Sequence, residues 1–575
     1  MKFLHQCCPR IIRAEGSTKG LQFQVEWNGD ICRSNLTNRG DTAVRVKDIV
    51  LFSGTWPLPV TSPFYAESYQ MLSQTSGTLA QPQDLTGLTD RGHYRLPTPQ
   101  GALTVYNLLR LEPAGQPAWI LAFTSCRRFQ NEFRLFPDGR FEIAIDTEGL
   151  EIKPGGRWEL EEMMAFTDDD RDRALARVAG QINQNHPRLP WAEPPTGWCS
   201  WYCFYERVTE DAILRNLDAV IKRAPTLRYI QIDDGYQSAM GDWLVPGPFF
   251  KGGLQPLIHR IRDRGLEPAI WVAPFIAEEN SQLLHAHPDW FIQDGNGKPL
   301  ASNKITFGGW RCAPWYMLDG THPGAQGYLE HVFRVMREEW GCTYFKLDAN
   351  CWGALPGGIR CDRHATRVEG YRRGMDAIRR GAGDAFILGC NAPMWPSLGL
   401  VHGMRTSNDI SRTWTSISGT ARENLLRAWQ NGKLWWNDPD CLVLADLGDQ
   451  RSSAEEYAFH EATILASGGM ILAGDDLSSL PAAQMERLRR LVPPSGKAAT
   501  FSSSQLESGI IEWGDQRILC LFNWTDHEKE ITVEIPGQWN IEDFWTGKPC
   551  ATKNGRSVSK KIPSHGARIL LCRPA

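Results

Sequence analysis

The feature that most constrains the fold is a series of eight short apolar segments between residues 197 and 476. Most of them end in polar residues, and most are followed by apolar residues at helical spacing. Strands that alternate with helices predict a parallel sheet, and eight strands are the number that closes a (β/α)8 TIM barrel. The segments are residues 197–204, 229–234, 267–275, 344–350, 386–390, 403–409, 433–441 and 468–476.

The regions on either side, residues 1–165 and 496–575, have a different pattern, in which short apolar runs alternate with Gly, Pro, Asn and Asp. This pattern is typical of antiparallel β structure. We therefore predict a multidomain α/β protein: an N-terminal β-sandwich over residues 1–165, a connector with one helix over 166–195, the barrel over 196–495, and a smaller C-terminal antiparallel β-sandwich over 496–575. The barrel carries one long insertion, residues 276–325.

The net charge and the cysteines indicate which partners, cofactors and cellular compartment to expect. The formal net charge is -4, which does not favour a nucleic-acid partner. The 15 cysteines include no CxxC pair and no Cys/His cluster with zinc-ligand spacing, so we expect free thiols in a reducing compartment and no metal or cofactor.

Two observations on targeting predict a cytoplasmic protein without a membrane span. The chain has no run of 18 apolar residues. The N-terminal stretch is a poor signal peptide, because His5, Gln6, Pro9 and Arg10 interrupt it.

Carboxylates follow most of the predicted barrel strands, where the active sites of TIM barrels lie. The polar residues at these strand ends are Asp233, Asp234, Lys346, Asp348, Arg405, Asp409, Asp438, Asp440, Asp475 and Asp476. Histidine is nearly absent from the set, so the chemistry expected at this rim is that of carboxylic acids.

Lys346 and Asp348 are two residues apart and share one face of their strand. A nearby ammonium lowers the pKa of a desolvated carboxyl and keeps it ionised. An ionised aspartate in fixed geometry is a competent nucleophile toward an electron-poor carbon. The same two residues could instead form a structural ion pair at the strand end.

Asp409 is the candidate for a partner acid that is protonated at rest, because it lies nearly opposite Asp348 across the predicted barrel. Two carboxyl groups that face each other across a sugar-sized gap are the equipment of a glycosidase. A separation of about 5 Å makes such an enzyme retaining, and about 6.5–9.5 Å makes it inverting.

Asp233 and Asp234 can accept hydrogen bonds from neighbouring sugar hydroxyls, although a strand-end Asp pair can also cap the next loop. Trp201, Trp243 and Trp271 are candidate platforms for a sugar ring. Core packing is the ordinary role of such residues, and only Trp271, at the end of the third segment, has a position that favours the site.

The motifs together resemble glycoside hydrolase family 36, the α-galactosidases of the clan shared with family 27. They are WCSWY (198–202), QIDDGYQ (231–237), YFKLDAN (344–350), LGC (388–390), RTSND (405–409), NDPDCL (437–442) and SGGMILAGDDLSSL (467–480). The resemblance implies that the N-terminal sandwich is a β-supersandwich.

The resemblance also implies a role for each site residue. Asp348 would be the nucleophile and Asp409 the general acid/base. The implied sugar contacts are Asp233 and Asp234 on O4 and O6, Lys346 and Arg405 on other hydroxyls, Cys390 at the O2 corner, and Trp271 stacked on the ring. Family members place an aromatic residue of the N-terminal domain at the pocket rim, and the corresponding stretch here offers Tyr69.

The predicted function is therefore a retaining, exo-acting α-galactosidase that hydrolyses the terminal α-D-galactosyl residues of galacto-oligosaccharides by double displacement. Three alternatives remain open: an α-N-acetylgalactosaminidase, a raffinose-synthase-like α-galactosyl transferase, and a non-catalytic carbohydrate-binding protein. A homo-oligomer is compatible with the sequence.

Overall fold

The computed structural model describes residue 4 and residues 11–15, 17–553 and 556–575 of the 575-residue chain. The four residues on which the signal-peptide prediction rests lie outside this part. No helix in the described ranges is both long and apolar enough to cross a bilayer. The thirteen cysteines of these ranges are free thiols, and most are buried, as the apolar residues around them predict.

The N-terminal region packs a five-stranded sheet against a nine-stranded sheet, with mainly antiparallel pairing. Inward-facing side chains such as Phe52, Leu109, Phe123 and Phe133 fill the space between the sheets. The strands are Ile11–Glu15, Leu21–Asn28, Ile31–Asn38, Val44–Thr55, Pro63–Glu67, Gln74–Thr78, Pro82–Asp84, Leu103–Val105, Leu108–Leu111, Ala118–Phe123, Gln130–Leu135, Arg140–Ile152, Arg157–Glu159 and Met163–Asp168. The helix Arg171–Asn185, capped by Asp170, then leads to the barrel.

The central region is the predicted barrel. Barrel strands 1 to 8 are Thr196–Cys199, Tyr229–Ile232, Glu267–Val272, Tyr344–Leu347, Phe386–Gly389, Gly403–Arg405, Trp436–Asp438 and Ile471–Ala473. They pair in parallel in the order 7-6-5-4-3-2-1-8. The Met470 N–H donates to the Asn437 carbonyl at 2.8 Å and joins the two ends of the sheet. Each of the eight predicted segments contains one strand, so the predicted fold class is confirmed.

The barrel helices cover the outside of the sheet and begin at recognisable caps. Ser453 and Glu456 form a capping box at the start of helix Ala454–Ser467, and Thr209 caps helix Glu210–Arg223. The helices are Trp201–Phe204, Glu210–Arg223, Leu254–Asp263, Gln282–Ala286, Pro323–Arg334, Arg367–Ala382, Trp414–Leu426, Ala454–Ser467 and Ala482–Leu491. The insertion after barrel strand 3 contains a small hairpin, Ile276–Ala277 with Tyr316–Met317.

The C-terminal region consists of a five-stranded and a three-stranded antiparallel sheet. Their facing side chains, including Leu519, Leu521 and Leu570, form a separate small core. The strands are Thr500–Phe501, Ser508–Trp513, Gln516–Phe522, Lys529–Glu534, Trp539–Asp543, Thr552–Lys553, Ser557–Ile562 and Ala567–Pro574.

A buried ion pair fixes the N-terminal region on the barrel. Glu67 and the Arg427 guanidinium lie 2.8 Å apart, and both side chains are fully buried. Arg427 also donates to the carbonyls of Met71 and Ser73, and Gln430 donates to Glu67. Residues 67–74 are therefore held against the barrel beside the C-terminal ends of its strands.

Asp90 makes the stability of this junction depend on pH. Its Oδ2 accepts from the Tyr69 N–H at 2.8 Å, and burial raises the pKa of its carboxyl from 3.8 to about 7. Between these values the unfolded carboxyl is ionised and the folded one is protonated, so the free energy of unfolding falls as pH rises from about 4 to 7. We expect Asp90→Asn to abolish this pH dependence. The difference in the free energy of unfolding between the variant and the native protein is then expected to be about 1–3 kcal/mol more in favour of the variant at pH 8 than at pH 5.

Urea unfolding of both proteins at pH 5 and pH 8 measures this effect. Asp41→Asn, on an exposed turn of the same region, is the matched control and is expected to follow the native protein at both pH values. Equal pH slopes for the native protein and Asp90→Asn would contradict the prediction.

Candidate active site

A cavity of about 510 Å³ opens at the C-terminal ends of the barrel strands. It contains the two predicted catalytic carboxylates together with side chains from the insertion and from the N-terminal region. The lining residues are Met71, Leu72, Leu88, His93, Tyr94, Trp201, Asp233, Asp234, Trp271, Phe307, Trp310, Lys346, Asp348, Cys390, Asn391, Asn408 and Asp409. This volume lies in the range of cavities that bind small organic molecules.

Asp348 lies just beyond barrel strand 4, where the backbone turns sharply. Ala349, with φ of +51°, makes this turn in the left-handed region and donates its N–H to Asp348 Oδ1 at 2.6 Å. The Trp271 indole donates to Oδ2 at 3.1 Å. The carboxylate is thereby held in one orientation by two donors. One is at the end of its own strand, barrel strand 4, and the other is on the neighbouring barrel strand 3.

Burial raises the pKa of Asp348, and the Lys346 ammonium partly offsets that rise. The ammonium therefore lowers the pKa of Asp348, as predicted, but its effect is smaller than that of burial. The contact partner of Lys346 is a different carboxylate: its Nζ lies 2.9 Å from Asp233 Oδ2. The ion pair between Lys346 and Asp348 that the sequence left open as an alternative is therefore not the one observed; the pair of Lys346 with Asp233 joins barrel strands 2 and 4.

Asp409 lines the same cavity, and its charge raises the pKa of Asp348, so the two carboxyl groups act on each other. Its Oδ1 lies 2.7 Å from Arg405 Nη2, and 66% of its side chain is exposed. That Asp409 is protonated at rest stays a prediction.

Arg405 is buried and does not line the cavity, so the structure gives it no direct place for a sugar hydroxyl. Its Nη2 also lies 2.6 Å from Asp440 Oδ2, and it donates to the Tyr202 hydroxyl at 3.2 Å. Burial raises the pKa of Asp440 to about 7. Arg405 thus connects Asp409 to a buried acid whose role the sequence did not reveal.

Asp234 is held by an arginine that sequence reasoning missed. Arg311, from the insertion, donates Nε to Asp234 Oδ2 at 2.8 Å and its Nη2 to the other oxygen. Gln237 donates to Asp234 at 2.7 Å. The Gly308–Gly309 pair just before Arg311 was the available signal for a tight turn, but nothing in the sequence places that turn over barrel strand 2.

The other predicted residues fall into two groups. Trp201, Trp271 and Cys390 line the cavity, whereas Tyr69 does not. Tyr69 is fully buried and donates its hydroxyl to the Ala354 carbonyl, so its prediction as a rim contact is wrong. The neighbouring Met71 and Leu72 reach the cavity instead.

Trp243 supports the wall from behind. It is buried and packs edge-on against Trp271, with ring centroids 5.8 Å apart. Within the described ranges no group of three or more His, Cys, Asp and Glu residues is positioned to hold a metal ion.

Comparison with known proteins points to one enzyme class. Residues 200–369 match the family model described as Melibiase. An α-galactosidase of Oryza sativa subsp. japonica is 21% identical over 413 residues, covering 66% of this chain and 85% of the rice protein. The family-model match includes Asp233, Asp234 and Asp348.

Solved structures agree with this relationship. TtGalA, an α-galactosidase from Thermus thermophilus in complex with p-nitrophenyl α-D-galactopyranoside, has a TM-score of 0.64 and 25% identity, covering 87% of this chain and 95% of that one. AgaA, a GH36 α-galactosidase from Geobacillus stearothermophilus, has a TM-score of 0.67 at 13% identity, covering 96% and 81%. The second likeness supports the fold of nearly the whole chain.

The Trp271 donor makes a testable contribution to the charge state of Asp348. Its hydrogen bond lowers the pKa of that carboxyl, so removing it in Trp271→Phe raises the pKa. If Asp348 must be ionised to react, the acid limb of kcat/KM moves to higher pH and the maximum falls by about tenfold. The pH profile of kcat/KM with a chromogenic α-galactoside measures both effects.

Trp243→Phe is the matched control, because it removes a buried indole of the same wall whose Nε1 has no hydrogen-bond partner among the described residues. This variant is expected to keep the native acid limb. An unchanged acid limb in Trp271→Phe would show that its indole does not tune Asp348.

Proposed function

We propose that the protein is an exo-acting, retaining α-galactosidase that removes terminal α-D-galactosyl residues from small galactosides. The observation that carries the proposal is one cavity lined by both Asp348 and Asp409, with Asp233, Asp234 and Lys346 beside them. Two acids and several fixed polar groups in one pocket are what glycoside hydrolysis requires. The α-galactosidases among the relatives and solved structures support the galactoside as substrate.

The proposed mechanism is a double displacement. Asp348 attacks the anomeric carbon and forms a galactosyl ester, while Asp409 protonates the departing glycosidic oxygen. Asp409 then takes a proton from water, which hydrolyses the ester and leaves an α-configured sugar. The two donors on Asp348 fix the direction of attack before the substrate arrives.

Asp409 is placed to act on the leaving group, because it lines the cavity and 66% of its side chain is exposed. Its Oδ1 lies 2.7 Å from Arg405 Nη2, and Arg405 has a second carboxylate partner in Asp440 at 2.6 Å.

The stereochemical course tests the function directly. Hydrolysis of p-nitrophenyl α-galactoside is followed by ¹H NMR from the first turnover, and α-galactose is expected before mutarotation. Initial β-galactose would refute the retaining mechanism. Labelling with an activated 2-fluoro-galactoside and peptide mapping is expected to place the sugar on the 344–350 peptide, and a label elsewhere would remove Asp348 from its role.

Three finer statements belong to the same proposal. Membership of glycoside hydrolase family 36 is supported by the motifs QIDDGYQ (231–237), YFKLDAN (344–350) and RTSND (405–409). Hydrolysis rather than transfer is expected to show as a galactose yield that does not fall when acceptor sugars are added. A reducing, cytoplasmic location is supported by the thirteen free cysteines of the described ranges.

A further inference from the structure

A second cavity, of about 330 Å³, lies at the end of the barrel opposite the catalytic cavity. Its walls come from the N-terminal region, from the first turn of helix Arg171–Asn185, from the residues that lead into barrel strand 7, and from the first residues of the C-terminal region. We call it the junction cavity. It shares no lining residue with the catalytic cavity, and its volume is at the lower end of the range for sites that bind small organic molecules.

The junction cavity has an excess of positive charge. Its charged lining residues in the described ranges are one carboxylate, Asp172, and four cations, Arg110, Arg171, Lys433 and Lys497. The whole chain has a formal net charge of -4, so this wall departs from the average charge of the protein. Cations gathered around a concave, partly apolar surface favour an anionic ligand.

Arg110 is the most deeply buried of these cations, with 3% of the residue exposed. Its Nε lies 2.8 Å from Glu112 Oε1, but this contact is not aligned as a hydrogen bond, and Nε has no other acceptor in the described part of the chain. Burial and the like charge of Arg171 lower the pKa of Arg110, against the effect of Glu112. Two guanidinium groups that repel each other in one wall are stabilised by an anion that both can contact.

Two further donors of this wall lack a protein acceptor. The half-buried Lys433 forms no ion pair with a carboxylate of the described residues, and burial lowers the pKa of its ammonium. Trp429 is 8% exposed, and its Nε1 is buried with no hydrogen-bond partner among the residues that the structure describes. Buried donors are normally paired, and leaving one unpaired costs free energy. The wall therefore offers donors for which a ligand can supply the acceptor.

Hydrogen bonds between regions hold the wall in place without a ligand. The Asn183 side chain, on the connector helix, donates to the Lys433 carbonyl at 2.8 Å. Arg171 donates Nη2 to the carbonyl of Phe501 in the C-terminal region. The spacing of the cations is thus set in advance, which lowers the entropy cost of binding.

We infer that the junction cavity binds a small organic phosphate monoester. Its phosphate group is placed against Arg110, Arg171 and Lys433, and its organic part packs on the apolar wall that includes Leu175 and Leu426. A phosphate monoester carries about -1.5 to -2 charges at pH 7, so it balances more of the cationic excess than a single carboxylate does. Guanidinium groups also match the geometry of phosphate oxygens. The inference is independent of the proposed function, because it concerns a separate cavity.

Isothermal titration calorimetry of the full chain tests the ligand class. The probes are phenyl phosphate, inorganic phosphate and benzoate, each titrated at pH 7.5. We expect phenyl phosphate to bind with one-to-one stoichiometry and at least about tenfold more tightly than either of the others. Benzoate that binds as tightly as phenyl phosphate would overturn the phosphate, and inorganic phosphate that binds as tightly would overturn the organic part of the ligand.

Variants at Lys433 test the location of the site. Lys433→Gln is expected to raise the Kd of phenyl phosphate by about tenfold, whereas Lys433→Arg keeps the charge and stays within about threefold of the native value. Lys561→Gln removes an exposed lysine from the C-terminal three-stranded sheet and is the matched control with native Kd. Lys433→Gln is expected to fold, because its side chain is only half-buried and has no carboxylate partner in the described ranges. Absence of saturable phenyl phosphate binding, or an equal Kd in the native protein and Lys433→Gln, would overturn the inference.

Discussion

Asp348→Asn is expected to lower kcat on every α-galactoside by roughly 10⁴–10⁶-fold, the largest effect predicted for a single residue of this protein. The amide keeps the shape of the carboxylate and can still accept from Trp271. It cannot form the galactosyl ester, however, so the first displacement stops. Single-turnover release of p-nitrophenol from the α-galactoside measures the loss.

Azide distinguishes loss of the nucleophile from general damage. In Asp348→Ala the vacated space admits azide, which attacks the anomeric carbon of α-galactosyl fluoride and gives β-galactosyl azide. Asp515→Asn, on an exposed turn of the C-terminal region, is the control and is expected to keep native kcat. Residual activity above about 1% in Asp348→Asn, after exclusion of deamidation, would contradict the assignment.

Asp409→Ala is expected to show a loss that depends on the leaving group. Melibiose needs protonation of its glycosidic oxygen, so kcat/KM falls by roughly 10³–10⁴-fold. Fluoride departs without that help, so kcat/KM on α-galactosyl fluoride falls far less.

The second azide product completes the comparison between the two acids. In Asp409→Ala, Asp348 still forms the galactosyl ester, and azide then attacks it to give α-galactosyl azide, the opposite anomer from that of Asp348→Ala. Arg405 keeps Asp440 as a partner, so the variant is expected to fold. Equal losses on melibiose and α-galactosyl fluoride would refute the role of Asp409 as the acid.

The parts of the site that lie on the strands could be predicted from the sequence. Barrel strands are recognisable in the sequence as short apolar runs. Their C-terminal ends must meet at one rim, and this places Asp348 and Asp409 together. The contact partner of Lys346 could not be predicted, because residue spacing within one strand does not say which residues of strands 2 and 4, separated by strand 3, meet at the rim.

The contacts made by loop residues could not be predicted from the sequence. Arg311 reaches Asp234 across 77 residues of sequence, and no periodic pattern encodes such a contact. The prediction for Tyr69 was wrong for a related reason: its segment does reach the cavity, but the Tyr69 side chain is buried away from it, and Met71 and Leu72 line the cavity instead. A shift of two residues in an irregular segment reverses which side chain meets a ligand.

The buried pair of Glu67 and Arg427 has a consequence for attempts to shorten this protein. A truncated form that begins at the barrel would remove Glu67 and the carbonyls of Met71 and Ser73, which bind the Arg427 guanidinium. It would also remove the cavity wall formed by Met71, Leu72, Leu88, His93 and Tyr94. The N-terminal region thus both anchors Arg427 and shapes the cavity, so we expect a form without it to lose stability and substrate affinity together.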